Sequence, residues 1–158
     1  MPINPRTLRL AAASLLLALT GLSAHADDDE HEGRARIPLL PKYQQECSAC
    51  HVAYPPGMLP AASWQRLMNG LPKHFGTDAS LDAATTKALS TWLTANTGSR
   101  SAPPQDRITQ SSWFLHEHDE VPTRTWQRAS IKSPANCAAC HTRADQGDFN
   151  ERFIRIPR

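Results

Sequence analysis

The sequence predicts a mainly α-helical protein made of two small modules, residues 27–100 and 101–158. Three observations support this prediction. The motif Cys-x-x-Cys-His occurs at residues 47–51 and again at 137–141, and the two copies contain all four cysteines of the chain. A stretch at residues 81–96 places apolar side chains at helical spacing, and no segment shows the alternation that predicts a β-sheet. Each module is therefore expected to consist of short helices around one motif.

Residues 1–26 predict a cleavable secretory signal peptide. Arg6 and Arg9 give the N-terminal region a positive charge, and residues 10–22 form an apolar run. A small-x-small cleavage pattern follows and ends at Ala26. The run is short for a membrane span of about 20 residues, which favours cleavage over an uncleaved anchor. We therefore expect an exported mature chain that is soluble.

Charge argues against a nucleic-acid partner. The full chain carries a net charge of +2, and removal of Arg6 and Arg9 with the signal peptide leaves it near zero. Binding to nucleic acid depends on neutralising phosphates with an excess of basic side chains. The mature chain has no such excess.

Both motifs predict covalent haem attachment. The two thiols add to the vinyl groups of one haem, and the following histidine binds the iron. The attachment and proximal residues are Cys47, Cys50 and His51 for the first haem, and Cys137, Cys140 and His141 for the second. A zinc site made from two such pairs usually spaces them by about 15–20 residues. Disulfides are possible in an exported protein, but neither alternative requires a histidine after each pair.

Helices are predicted in order along the first module. Pro41 suits a first helical position, which predicts a helix over residues 41–50 that leads into the first motif. Ser63 is the expected cap of a short helix over 64–69, with Gly70 at its end.

The clearest helix covers residues 81–96, with Ser80 as its cap and Asp82 near its positive end. Its apolar stripe consists of Leu81, Ala84, Ala88, Leu89, Trp92 and Leu93. We expect this stripe to be a packing surface against the Tyr43 helix and the haem edge. In the second module, Ser112 is the expected cap of a helix over 113–118, and Pro122 precedes another over 123–129.

The sixth iron ligand decides what each haem can do, because methionine raises the potential, histidine lowers it and an open position binds small molecules. For the first haem, His74 lies in a turn-rich segment that can reach the opposite haem face. Met68 suits a core position without any metal, and Met58 is a weaker candidate. The second module has no methionine, which favours His116 or His118, and their spacing does not separate them.

The residues around both motifs resemble the small dihaem cytochrome c (DHC) family of proteobacteria over nearly the whole mature chain. In the first half the matching residues are Tyr54, Pro55, Pro56, Gly57, Leu59, Pro60, Ala61, Trp64, Gly70, Leu71, His74, Phe75 and Gly76. In the second half they are Trp113, Phe114, Glu117, His118, Trp126, Asn136, Arg155, Ile156, Pro157 and Arg158.

This resemblance implies an N-terminal module like a class I cytochrome c and a small C-terminal haem module with little regular structure. It implies that both haems are bis-histidine ligated, with His74 as the sixth ligand of the first haem and His118 of the second. It also implies a periplasmic location and two redox partners, a membrane cytochrome b and a soluble monohaem cytochrome c.

We therefore expect an electron carrier and not an enzyme, because six-coordinate irons leave no position for a substrate. The alternative is a dihaem peroxidase-like enzyme with one open haem. Such enzymes are much longer, and this sequence shows no distal acid–base constellation. A redox or gas sensor would carry a fused output domain, which the sequence also lacks.

Overall fold

The computed structural model describes residues 37–158, which belong to one compact unit. The predicted signal peptide lies outside the described residues. The helices are α1 (Pro41–Cys47), α2 (Ala61–Asn69), α3 (Ala83–Ala95), α4 (Ser112–Glu117) and α5 (Thr123–Trp126). Short 3-10 turns connect them. The module boundary between residues 100 and 101, and the likeness of the first half to a class I cytochrome c, stay predictions.

The mainly helical class is confirmed. Over the described range, β-pairing consists of two isolated antiparallel bridges, one between His74 and Thr77 and one between His141 and Ile154. No helix in that range is long and apolar enough to cross a membrane.

Helix α1 begins with Pro41, as predicted, and ends three residues earlier than expected. The backbone leaves the helical conformation at Ser48, so the first motif starts on the last helical residue, Cys47. The remainder of the motif continues as a turn toward His51. The first thiol is therefore presented from a helix and the second from the turn that follows it.

In α2, the prediction that Ser63 caps the helix is wrong. The helix starts at Ala61 behind Pro60, and Ser63 is fully buried inside it. Its hydroxyl accepts a hydrogen bond from Arg66 Nη2 at 3.2 Å. Gly70 does end the helix, and its N–H donates to two carbonyl oxygens of the last turn.

In α3, Asp82 and not Ser80 is the cap. Asp82 Oδ1 accepts the N–H of Thr85 at 2.9 Å, so the helix starts two residues later than predicted. Leu89 and Leu93 are completely buried, which confirms that part of the stripe is packing surface. Ala84 and Ala88 are exposed in contrast.

The core of the first half lies between α1, α2 and α3. Its buried members are Tyr43, Ala53, Leu59, Trp64, Met68, Leu89 and Leu93. The Tyr43 ring meets Trp64 edge-on at 6.5 Å and lies 5.3 Å from Trp92. This arrangement confirms the predicted packing of the long helix against the Tyr43 helix.

Helix α4 is capped by Ser111, one residue before the predicted cap. Ser111 Oγ accepts the N–H of Phe114 at 3.3 Å. Helix α5 follows Pro122 as predicted but stops at Trp126 instead of continuing to residue 129.

Beyond α5, hydrogen bonds join the region of the second motif to the end of the chain. The N–H of Arg155 donates to the carbonyl oxygen of Cys140 at 2.8 Å, and the N–H of Thr142 donates to that of Phe153 at 3.2 Å. Arg128 Nη1 donates to the Pro157 carbonyl oxygen at 2.7 Å. These bonds tie the second motif to the C-terminal tail.

Candidate haem sites

The first histidine pair consists of His51 and His74. Their ring centroids are 6.1 Å apart, and the ring planes differ by 30°. Two metal–imidazole bonds of about 2 Å each, with about 1 Å from each nitrogen to its ring centre, add to about 6 Å. The two rings therefore stand at the separation of opposite ligands on one metal.

Local structure fixes the ring of His51 and the backbone of His74. His51 Nδ1 lies 2.7 Å from the Val52 carbonyl oxygen. A carbonyl only accepts, so this nitrogen carries the proton and Nε2 keeps a lone pair for a metal. His74 ends the turn Leu71–Lys73, and its carbonyl accepts the N–H of Thr77 at 3.0 Å.

The second pair consists of His118 and His141. Their ring centroids are also 6.1 Å apart, but the planes differ by 67°. His118 is the C-cap of α4, and its Nδ1 lies 2.9 Å from the carbonyl oxygen of Phe114. Its ring stacks on that of Phe114 at 4.1 Å. As in His51, Nδ1 is the donor and Nε2 is left with a lone pair.

The other candidate ligands lie elsewhere. The side chain of His116 is exposed, whereas that of His118 is half-buried beside His141. Met68 is buried in the core of the first half, the position expected for a packing residue. Met58 belongs to the turn Pro56–Met58. The structure thus pairs His74 and His118 with the two proximal histidines, and their assignment as iron ligands stays a prediction.

Burial keeps members of both pairs in the neutral form that binds metals. It lowers the pKa of His74, and the neighbouring His51 lowers it further. Burial likewise lowers the pKa of His141, with a smaller effect from His118. Neutral imidazole is the form that coordinates a metal, so both residues are ready to bind at neutral pH.

The four cysteines form no disulfide with one another. Burial, with a smaller effect from the neighbouring Glu46, raises the pKa of Cys47 to about 11, so the thiol is protonated at neutral pH. Burial also raises the pKa of Cys137 and of Cys140. The free thiols are therefore available to form thioether bonds to haem.

Three buried ring nitrogens lack a hydrogen-bond partner among residues 37–158: His74 Nδ1, His141 Nδ1 and Trp113 Nε1. Unpaired buried polar atoms are rare in folded proteins. Two of these atoms belong to the histidine pairs, and the third lies on α4, which carries His118. The residues present fit two haem groups, each attached by a cysteine pair and held by a proximal histidine.

Sequence reasoning missed the aromatic rings that orient the histidines. Tyr54 stacks on His51 with ring centroids 4.8 Å apart, and Phe114 stacks on His118. The Phe114–His118 spacing of four residues at the end of a helix is a signal that could have revealed the second contact. The first contact lies outside a helix, where spacing does not determine which rings meet.

Two Cys-x-x-Cys-His motifs on a small helical fold, each with a second imidazole facing its histidine, define a c-type cytochrome with two haem sites. The sequence model of the family described as dihaem cytochrome c matches residues 43–149. The chain belongs to this family, and its cofactors are two covalently attached haem c groups. It is a haem-based electron-transfer cytochrome.

Solved structures agree with this membership. The diheme cytochrome c from Shewanella baltica has 34% identity and a TM-score of 0.68, and the match covers 77% of this chain and 95% of that one. A crystal structure of DHC purified from Rhodobacter sphaeroides has 48% identity and a TM-score of 0.62, with 70% and 96% covered. A diheme cytochrome c from the same organism has 42% identity and a TM-score of 0.65, with 73% and 100% covered. No curated protein sequence matches the chain.

Proposed function

We propose that this protein is a periplasmic electron carrier whose two haems are each held between two histidines, His51 with His74 and His118 with His141. The observation that carries the proposal is the equal 6.1 Å separation of the two ring pairs. Haem supplies the one-electron chemistry when bound. The paired imidazoles would hold each haem and leave no position for a substrate, so that electron exchange would be the remaining task.

Low-temperature EPR of the ferric protein tests the ligand assignment. We expect low-spin signals from both haems of the wild type. His74→Ala and His118→Ala should each convert one haem to a high-spin signal, because each change opens one axial position. His116→Ala is the matched control for His118→Ala, and it should leave both signals low-spin.

Carbon monoxide provides the complementary test of the carrier function. We expect no shift of the reduced visible spectrum on addition of the gas to wild type. A full-stoichiometry shift, or peroxide turnover above that of a bis-histidine control, would instead favour the peroxidase-like function. A high-spin signal for His116→Ala with a normal spectrum for His118→Ala would reverse the second assignment.

The proposed location depends on export by residues 1–26. Mass spectrometry of the purified holoprotein should give a mature chain that begins at Asp27. Cell fractionation should place the haem-staining band in the periplasm. Recovery of an uncleaved chain in the membrane fraction would contradict the proposal.

We propose a membrane cytochrome b and a soluble monohaem cytochrome c as the two redox partners, on the basis of family resemblance. Stopped-flow mixing of the reduced protein with the oxidised monohaem cytochrome should show second-order oxidation. Reduced membranes that contain the cytochrome b should in turn reduce the oxidised protein. If either electron transfer is not observed, the corresponding protein is excluded as a partner, and the ligand assignment is unaffected.

A further inference from the structure

Tyr54 contacts both candidate haem sites. Its ring stacks on that of His51, with centroids 4.8 Å apart and planes 15° apart. Its hydroxyl donates a hydrogen bond to the carbonyl oxygen of Ala135 at 3.3 Å, across a sequence separation of 81 residues. Ala135 lies two residues before Cys137. One side chain therefore spans from the proximal histidine of the first site to the attachment segment of the second.

We propose that Tyr54 is a positioning residue that couples the two haem sites, its ring setting the plane of His51 and its hydroxyl holding the segment before Cys137. The inference rests on the proposed function and deepens it, because it names a side chain that fixes the two sites relative to each other.

The ring contact constrains His51 from one side. A nearly parallel stack restricts rotation of the imidazole. A hydrogen bond of 2.7 Å from His51 Nδ1 to the Val52 carbonyl oxygen restricts it further. Groups around a metal-binding histidine fix its orientation and tune the metal. The orientation of His51 therefore depends on an aromatic ring at position 54.

The hydroxyl contact becomes more important once haem is attached. Cys137 Sγ also lies near the Ala135 carbonyl oxygen, at 3.7 Å, and as a thiol it can donate a weak hydrogen bond. Addition of the thiol across a vinyl group forms a carbon–sulfur bond and transfers the thiol hydrogen to the other vinyl carbon. The resulting thioether has no donor, whereas the Tyr54 hydroxyl still has one.

Two polar cross-links between the two halves involve no residue of a haem motif. Gln44 Nε2 donates to the Asp145 carbonyl oxygen at 3.3 Å, and Arg66 pairs with Asp106. Neither link involves a residue of a Cys-x-x-Cys-His motif. They stabilise the arrangement of the halves, but the Tyr54 contacts act on the haem sites themselves.

The test compares Tyr54→Phe and Tyr54→Leu in the dihaem holoprotein, by EPR and by a redox titration of both haems. Tyr54→Phe keeps the ring and removes the hydroxyl, so the signal and potential of the second haem should shift while the first-haem signal is unchanged. Tyr54→Leu removes both groups, so both haem signals should shift. The His74→Ala and His118→Ala variants assign each signal to its haem.

Tyr43→Phe is the matched control. The Tyr43 hydroxyl donates to the Tyr54 carbonyl oxygen at 2.9 Å, so this change also removes a buried hydroxyl without altering the Tyr54 side chain. We expect it to leave both signals unchanged. A second-haem signal and potential that are identical in Tyr54→Phe and wild type would overturn the proposal.

An equal shift in Tyr43→Phe would also overturn it, because the effect would then be general to the fold. If Tyr54→Leu does not mature, Tyr54→Phe decides the question. A wild type that binds carbon monoxide would instead refute the proposed function, so the two failures are distinguishable.

Discussion

The rings of His118 and His141 are crossed at 67°, although their centroids are as far apart as those of the first pair. In the first pair the planes differ by only 30°. Nearly parallel imidazoles donate into the same iron d orbital, whereas crossed imidazoles donate into different ones. If both pairs bind iron as we propose, the two sites would offer it different electronic surroundings from the same ligand type.

We predict that the two ferric haems give distinct low-spin EPR signals. The crossed pair should have the larger maximum g value and the higher reduction potential, because parallel donation stabilises the ferric state more. EPR at stepped potentials measures both properties. Two superimposable signals that disappear at one potential would contradict this prediction.

Removal of the Ser111 cap should destabilise the second site. We expect Ser111→Ala to lower the free energy of unfolding by about 1 kcal/mol, because Phe114 N–H loses its acceptor at the start of α4. Urea unfolding of the holoprotein, followed by circular dichroism, measures the change. Ser112→Ala is the control at the exposed neighbouring position, and a loss equal to that of Ser111→Ala would contradict the cap assignment.

The ion pair between Arg66 and Asp106 predicts an acid-dependent contribution to stability. Arg66 donates to both carboxylate oxygens of Asp106, at 2.8 and 2.6 Å, and these bonds lower the pKa of Asp106. A lowered folded-state pKa stabilises the fold above the ordinary carboxyl pKa of about 4, and the contribution is lost as the pH falls through the folded value.

Asp106→Asn should therefore destabilise the protein most at pH 7, and the difference from wild type should shrink as the pH falls below about 4. Asn suits the positive φ of 55° at this position, so the change mainly removes charge. Urea midpoints across this pH range measure the effect. Asp119→Asn, two residues after α4, is the matched control, and the same pH profile in both variants would refute the prediction.

The core of the first half should be sensitive to loss of volume. Leu93 is completely buried, so Leu93→Ala should cost about 2–5 kcal/mol of unfolding free energy. Leu115 is 58% exposed, and Leu115→Ala should change the free energy of unfolding by less than about 0.5 kcal/mol. Chemical denaturation of the two holoproteins provides the comparison, and equal losses would be inconsistent with this core.

The sequence predicted the haem motifs, the longest helix and the end of α2 at Gly70, because each depends on a local pattern. It misplaced the caps by one to three residues. Suitable polar residues stand close together at each helix start, and only the folded backbone decides between Ser80 and Asp82 or between Ser111 and Ser112. The contact of Tyr54 with residue 135 could not be predicted, because it joins two irregular segments far apart in sequence.

The backbone bonds between the second motif and the chain end have a consequence for sequence variation. Main-chain groups donate and accept whatever side chain they carry, so the exposed positions of the chain end should accept many replacements that the first-half core would reject. Proline at position 155 is the instructive exception, since it removes the N–H that reaches Cys140. A saturation mutagenesis map should therefore show tolerance at the exposed positions after residue 150, and intolerance at the second haem motif and at the buried Ile131 and Ala144.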